Sequence, residues 1–134
     1  MTDFAPDWKK GESRGKPCEV VVCEAATDIA QGDMVQISGH NGDLQPKVIV
    51  QDDKSPLGQA QFAAKSGELV KITTRGFIKV EFGTALGVID ALGWKDNECV
   101  ATGTSGAVGS LGYIYGKESV ADGDFTIIFF GGTR

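Results

Sequence analysis

One histidine, four prolines and three cysteines are all that 134 residues contain, and each scarcity excludes a kind of protein. A histidine-based triad would have to use His40, which stands in "GHNGD" (39–43), a stretch that reads as an exposed hairpin tip with no partner carboxylate in sight. Cys18, Cys23 and Cys99 are odd in number, which speaks against a disulfide framework. Their C-x4-C spacing beside a single histidine is no zinc pattern, so small apolar or inert thiols are expected. The opening "MTDFAPDWKKGESRG" has no apolar core of a signal peptide, and synthesis in a reducing cytoplasm is expected. No run approaches membrane length. Basic blocks are nearly absent and the net charge is −5, which excludes a nucleic-acid partner, since that needs a positive footprint.

Glycine is what the chain has in quantity, 19 residues against four prolines, a balance that suits many tight turns better than disorder. Between the turns lie short β-forming runs. "CEVVVCEA" (18–25) is the first, "MVQI" follows Gly32-Asp33, and "LQPKVIV" returns after the Asn41-Gly42 turn. "LVKITTRGFIKVEF" (69–82) alternates apolar and polar on both sides of Gly76, which predicts a bulge or bend there. "LGYIYGKES" puts Tyr113 and Tyr115 on one face, and "DFTIIFF" closes the series. "TALGVIDALGW" (84–94) is the one helix candidate, weakened by Gly87 and Gly93.

A phrase recurs. "SPLGQAQFAAKSGELVKI" (55–72) and "GSLGYIYGKESVADGDFTII" (109–128) both carry Leu-Gly, a polar stretch, Gly and an acid, then an apolar run. Its second half appears again in "QGDMVQI" (31–37). The spacing is too irregular for a solenoid. Either a hairpin unit is repeated within one barrel, or three turns share one chemistry.

Catalytic groups do not converge. Asp52 and Asp53 are neighbours, and neighbours on extended chain point apart, so they make a poor acid–base pair. "GTSGAVGSLG" (103–112) matches neither a phosphate-binding loop nor a nucleophile elbow. No enzyme activity, cofactor or metal is expected.

Residues 1–17 stand apart: polar, aperiodic, with Pro6 and Pro17, yet holding Phe4 and Trp8. They read as an extended N-terminal arm before a single β-barrel domain, 18–134. Phe4, Pro6, Trp8, Lys9, Lys10 and Arg14 are its candidate contact residues, because such rings and cations anchor interfaces.

The series "AQGDMVQI", "SPLGQAQFAAKSGELVKITTRGFIKVEF" and "DALGWKDNECVATGTSGAVGSLGYIYGKESVADGDFTIIFFGG" resembles the head decoration, or cement, proteins of tailed bacteriophages over about residues 28–132. The resemblance lies in glycines and strands. It implies an all-β fold, a small β-barrel or β-tulip with at most one short helix. It also implies a structural virion protein that binds the major capsid protein on the outer capsid surface as a homotrimer and stabilises the mature shell. The arm would lie along the capsid subunit. It departs from the best-known phage form, whose arm is richer in Thr, Ser and Ala; Phe4 and Trp8 come from the residues themselves. The alternative is a small ligand- or glycan-binding barrel, with Phe77, Trp94, Tyr113 and Tyr115 lining a stacking face.

Overall fold

Alternating apolar residues become strand wherever the sequence carries them. The structure, a computed structural model, describes residues 1–42 and 44–132; Asp43 of the expected hairpin tip, and Thr133 and Arg134, lie outside the described residues. Among the described residues there are twelve strands and no helix: β1 (Ser13–Ala25), β2 (Met34–His40), β3 (Pro46–Val50), β4 (Gly58–Ala60), β5 (Leu69–Glu81), β6 (Leu86–Gly87), β7 (Leu92–Lys95), β8 (Glu98–Ala101), β9 (Val108–Ser110), β10 (Gly112–Ile114), β11 (Ser119–Val120) and β12 (Phe125–Phe130). The fold is all-β, as the turn-rich composition requires.

The main sheet runs β1-β3-β2-β4-β5-β12-β10, and β1 pairs a second time with β5. Pairing thus returns on itself through β1, β3, β2, β4 and β5, which is the barrel part of the fold. Only β1–β3 is parallel in this sheet. A second sheet, β8-β7-β9, and the small pair β11-β6 complete the molecule.

Two cores result. Cys23, Val35, Val48, Ala60, Val70 and Ile72 fill the ring. Ile78, Val80, Phe82, Leu92, Trp94 and Ile128 fill the space beneath the second sheet. Strand β5 serves both, giving Val70 and Ile72 to one and Ile78 and Val80 to the other, with Phe82 just past its end. Gly76 sits between, at φ 144°, where a Cβ would lie 3.0 Å from the Pro17 carbonyl oxygen. The irregularity expected at Gly76 falls on its partner instead: β5 runs unbroken while β1 shifts register between Arg14 and Val20. Strand β1 begins at Ser13 rather than Cys18, so the end of the expected arm is strand.

The helix expected over 84–94 is corrected. This segment forms β6, a turn, and the start of β7. The turn closes when the Gly87 amide donates to Asp90 Oδ2 at 2.7 Å. Leu92 and Trp94 are buried two residues apart, a strand period. At Gly93 a Cβ would meet the Val100 carbonyl oxygen of β8 at 2.9 Å, so the two glycines that weakened the helix serve the strand pair.

The repeated phrase resolves into chemistry. Gly32, Gly67 and Gly123 take φ of 87°, 91° and 86°, the third position of a type II turn. In each turn the following acid reaches back to the amide three residues earlier: Asp33 Oδ2 accepts from Ala30, Glu68 Oε1 from Lys65 and Asp124 Oδ2 from Ala121. The two Leu-Gly copies also correspond. Gly58 opens β4 against β5, and Gly112 opens β10 against β12, each pressed on the backbone of the strand that follows its turn.

Candidate docking face

On β5 and β12 every second residue faces away from the cores. Cross-strand pairs Phe77–Phe129, Lys79–Ile127 and Glu81–Phe125 therefore share the outward face of the sheet, and Tyr113 of β10 stands opposite Phe129 on the same face. That face is aromatic. Phe77 meets Phe129 edge-on at 5.0 Å and Tyr115 at 4.8 Å, while Tyr113 stacks on Phe129 at 5.4 Å. Tyr115 is 64% exposed.

The first twelve residues cover one end of this face. Phe4 N donates to Phe125 O, and Phe125 N to Thr2 O, so the segment adds a short parallel bridge beside β12. Beneath it lies Lys79, only 5% exposed. Its ammonium donates to Asp3 Oδ2 at 2.6 Å and to the carbonyls of Ala5 and Trp8 at 2.9 Å each. A buried cation needs all its donors paired, and this segment pairs all three. Burial would raise the Asp3 carboxyl, but the hydrogen bonds from Lys79 and the Ala5 amide, with the charge of Lys79, outweigh it and hold Asp3 below its ordinary value. Further on, the Gly11 amide donates to the buried Oε1 of Gln59, whose Nε2 donates to the carbonyls of Gly32 and Lys79.

Cations decorate the same region. Lys10 and Lys79 lie over the Phe125 ring, Arg14 over Trp8 at 4.7 Å, Arg75 over Phe129 at 5.5 Å and Lys117 over Phe4 at 5.2 Å. In a chain of net charge −5, five cations meet rings on one face. Arg14 pairs with Glu12, Lys79 with Asp3 and Arg75 with Glu19.

Five of the six expected contact residues lie on a strap folded over the sheet, and Arg14 of β1 reaches it through the Asp7 carbonyl and the Trp8 ring. Phe4, Pro6, Lys9 and Arg14 are exposed, and Trp8 and Lys10 are half-buried. The Trp8 ring nitrogen donates to the Glu12 carbonyl. Of the expected stacking residues, Phe77, Tyr113 and Tyr115 do assemble, but Trp94 does not. It is buried in the core beneath the other sheet, its Nε1 donating to Ser110 Oγ at 2.6 Å.

The other candidates stand apart among the described residues. His40 is exposed at the end of β2. Asp52 and Asp53 diverge as expected of neighbours: Asp53 accepts from Gln36 Nε2, while the Asp52 carboxyl is raised chiefly by its hydrogen bond with Asp96. The three free cysteines form no disulfide, and burial raises the thiols of Cys23 and Cys99. Sequence reasoning missed Lys79 and Arg75. Their signal was present in "TRGFIKVEF", where Arg75, Phe77, Lys79 and Glu81 occupy alternate positions, one outward stripe of a strand.

The described residues thus form an all-β molecule with a ring-and-cation face. Residues 13–128 match the phage cement protein family, and the chain belongs to it. The match starts where β1 starts, so the strap precedes it. The molecule is accordingly a phage structural protein associated with the virion capsid. No curated protein sequence matches the chain. Among solved structures the fold is similar to the N-terminal base of head fiber gp8.5 in bacteriophage phi29, with a TM-score of 0.59 at 17% identity over 88% of this chain and 98% of that one.

Proposed function

We propose that the protein sits on the outer surface of the capsid as a homotrimer, grips the major capsid protein through the strap face, and stabilises the mature shell. The observation that carries this reading is the strap itself: residues 1–12 are tied down by Lys79 and Gln59, which presents Phe4, Pro6 and Lys9 outward on a fixed frame, with Arg14 exposed beside them on β1. Preorganised rings and cations bind at lower entropic cost than a loose arm. Each contact can be weak, because a shell repeats its sites and a ligand of the mature lattice stabilises it by mass action. Three subunits meeting head to tail would close around a three-fold axis. Free thiols suit synthesis in the host cytoplasm.

The test is removal of residues 1–12, a cut that spares β1. Shells assembled without this protein are mixed with full-length or shortened chain, and occupancy and shell disruption temperature are measured. Full-length chain is expected to fill the shells in near-constant ratio to the major capsid protein and to raise their disruption temperature. The shortened chain should keep its β circular dichroism and lose both effects. Equal decoration by the two would remove the strap from the mechanism, and bare shells with the full chain would overturn the reading as a whole.

A further inference from the structure

The two edges of β1 are used very differently. One pairs with β5 along most of the strand, and the other meets β3 only at Glu24 and Ala25. Among the described residues no other strand lies against that second edge, and the whole stretch 14–22 is exposed. In an antiparallel ladder every second residue turns its amide and carbonyl away from the partner strand, so this edge carries free donors and acceptors. Folded proteins guard such edges with proline, bulges or charge. The first half is guarded: Pro17 brings no amide N–H, and the register shifts between Arg14 and Val20. The second half is not. Val20, Val21 and Val22 follow one another with no charge between Glu19 and Glu24, and they are 42%, 38% and 40% exposed. Val21 stands opposite Ile72, and Cys23 opposite Val70 of the ring core, so Val20 and Val22 face outward. Beside them on β5 lie Lys71, opposite Val22, and the exposed Leu69.

The charges around this edge point to its occupant. Glu19 is paired with Arg75 and Glu24 with Lys47, whereas Lys16 and Lys71 have no ion pair among the described residues. In a chain of net charge −5 the open edge is therefore apolar, with an unpaired cation toward each end. Two copies pairing edge to edge would make an isologous contact, which closes as a pair and not around a three-fold axis. We infer that residues 18–22 take an extended segment of the capsid shell protein as an added strand, apolar where it meets Val20 and Val22 and bearing a carboxylate for Lys16 or Lys71. This rests on the capsid-binding reading. Strand β1 starts where the strap ends, so the two contacts are continuous along the chain. Backbone hydrogen bonds hold an added strand and alternate side chains select it. A strand this short binds weakly alone, and linkage to the strap contact makes up for that.

The experiment follows hydrogen exchange in the full-length chain, free and bound to shells assembled without it, and compares shell binding by variants. In the free chain the amides of residues 18–22 that point away from β5 are expected to exchange fast, and on shells they should become protected. Val20→Lys with Val22→Lys puts charge on the edge and leaves the ring core alone; it should bind shells about tenfold more weakly. Lys71→Glu should also bind more weakly, with a smaller salt dependence. Val20→Thr with Val22→Thr keeps the β-branch and the backbone and should bind near-normally. Thermal melts and sedimentation of all variants are expected to match wild type. Unprotected edge amides on fully decorated shells, or wild-type binding by the double lysine variant, would overturn the inference and leave the strap reading standing. Edge amides already protected in the free chain, and exposed again on dilution to monomer, would overturn it by giving the edge to a second copy. Bare shells with wild-type chain would remove both readings.

Discussion

Lys79 decides where the first twelve residues go. Its ammonium is almost fully buried, and water has been replaced by Asp3, Ala5 and Trp8. Lys79→Met keeps the apolar stem and removes the three donors, which is expected to cost about 1–3 kcal/mol and release the strap. Trp8 emission should move to longer wavelength, and limited proteolysis should cut before Ser13. Acid should act on the same clasp. Asp3 is held below its ordinary value of 3.8 in the folded chain, so its contribution is complete above that value and disappears as pH falls through the lower folded one. Trp8 emission should stay constant from neutral down to about pH 5 and shift only in stronger acid. Asp3→Asn should flatten that response; a shift beginning near neutrality would place the trigger elsewhere.

Turns and their flanking strands show the same economy at the scale of elements. All three Gly-acid turns use glycine for a positive φ and the acid to satisfy a backbone amide. The Leu-Gly glycines have a different reason. At Gly58 a Cβ would fall 2.0 Å from the Thr73 carbonyl oxygen, whereas at Gly67 it would meet nothing within 4 Å. Gly67→Ala is therefore expected to cost only the left-handed backbone, about 1–2 kcal/mol. Gly58→Ala must part β4 from β5 and should cost more, about 3 kcal/mol or beyond. Denaturant titration of the two variants ranks them, and an equal loss would mean that β4 moves aside freely. The 84–94 segment belongs to the same lesson. It was expected to be the one helix, but Gly87, Asp90 and Gly93 serve a turn and a close strand pair.

For the whole molecule, β5 is the shared member. Ile72 lies in the ring core and Ile78 in the core beneath the second sheet, both fully buried. Each truncation to Ala should cost about 2–5 kcal/mol. Because one strand carries both, unfolding is expected to be a single transition. In Ile72→Ala, the fluorescence of Trp94, which sits in the other core, should fall at the same lowered midpoint as the circular dichroism. A Trp94 transition left at the wild-type midpoint would mean two independent units. The ring-and-cation face is also a property at this scale: it needs β5, β12 and β10 side by side and the strap laid beside them.

The sequence by itself determined most of the strands and the Gly-acid turns. Period-two alternation and turn chemistry act over a few residues, and local sterics and burial are enough to read them. It also marked Phe4, Trp8, Arg14 and their neighbours as a group, because rings and cations are rare elsewhere in a polar segment. The tertiary structure decided where those residues sit. Strand register put Phe77 opposite Phe129 and sent Trp94 into the core, and a pairing 122 residues apart set Thr2 against Asp124. Whether a lysine in a strand faces water or a folded-back strap depends on what packs above it, and no local period carries that. Lys79 occupies an outward position in the alternation; only the packed molecule, which removed its water and supplied three acceptors, made it the clasp of the strap.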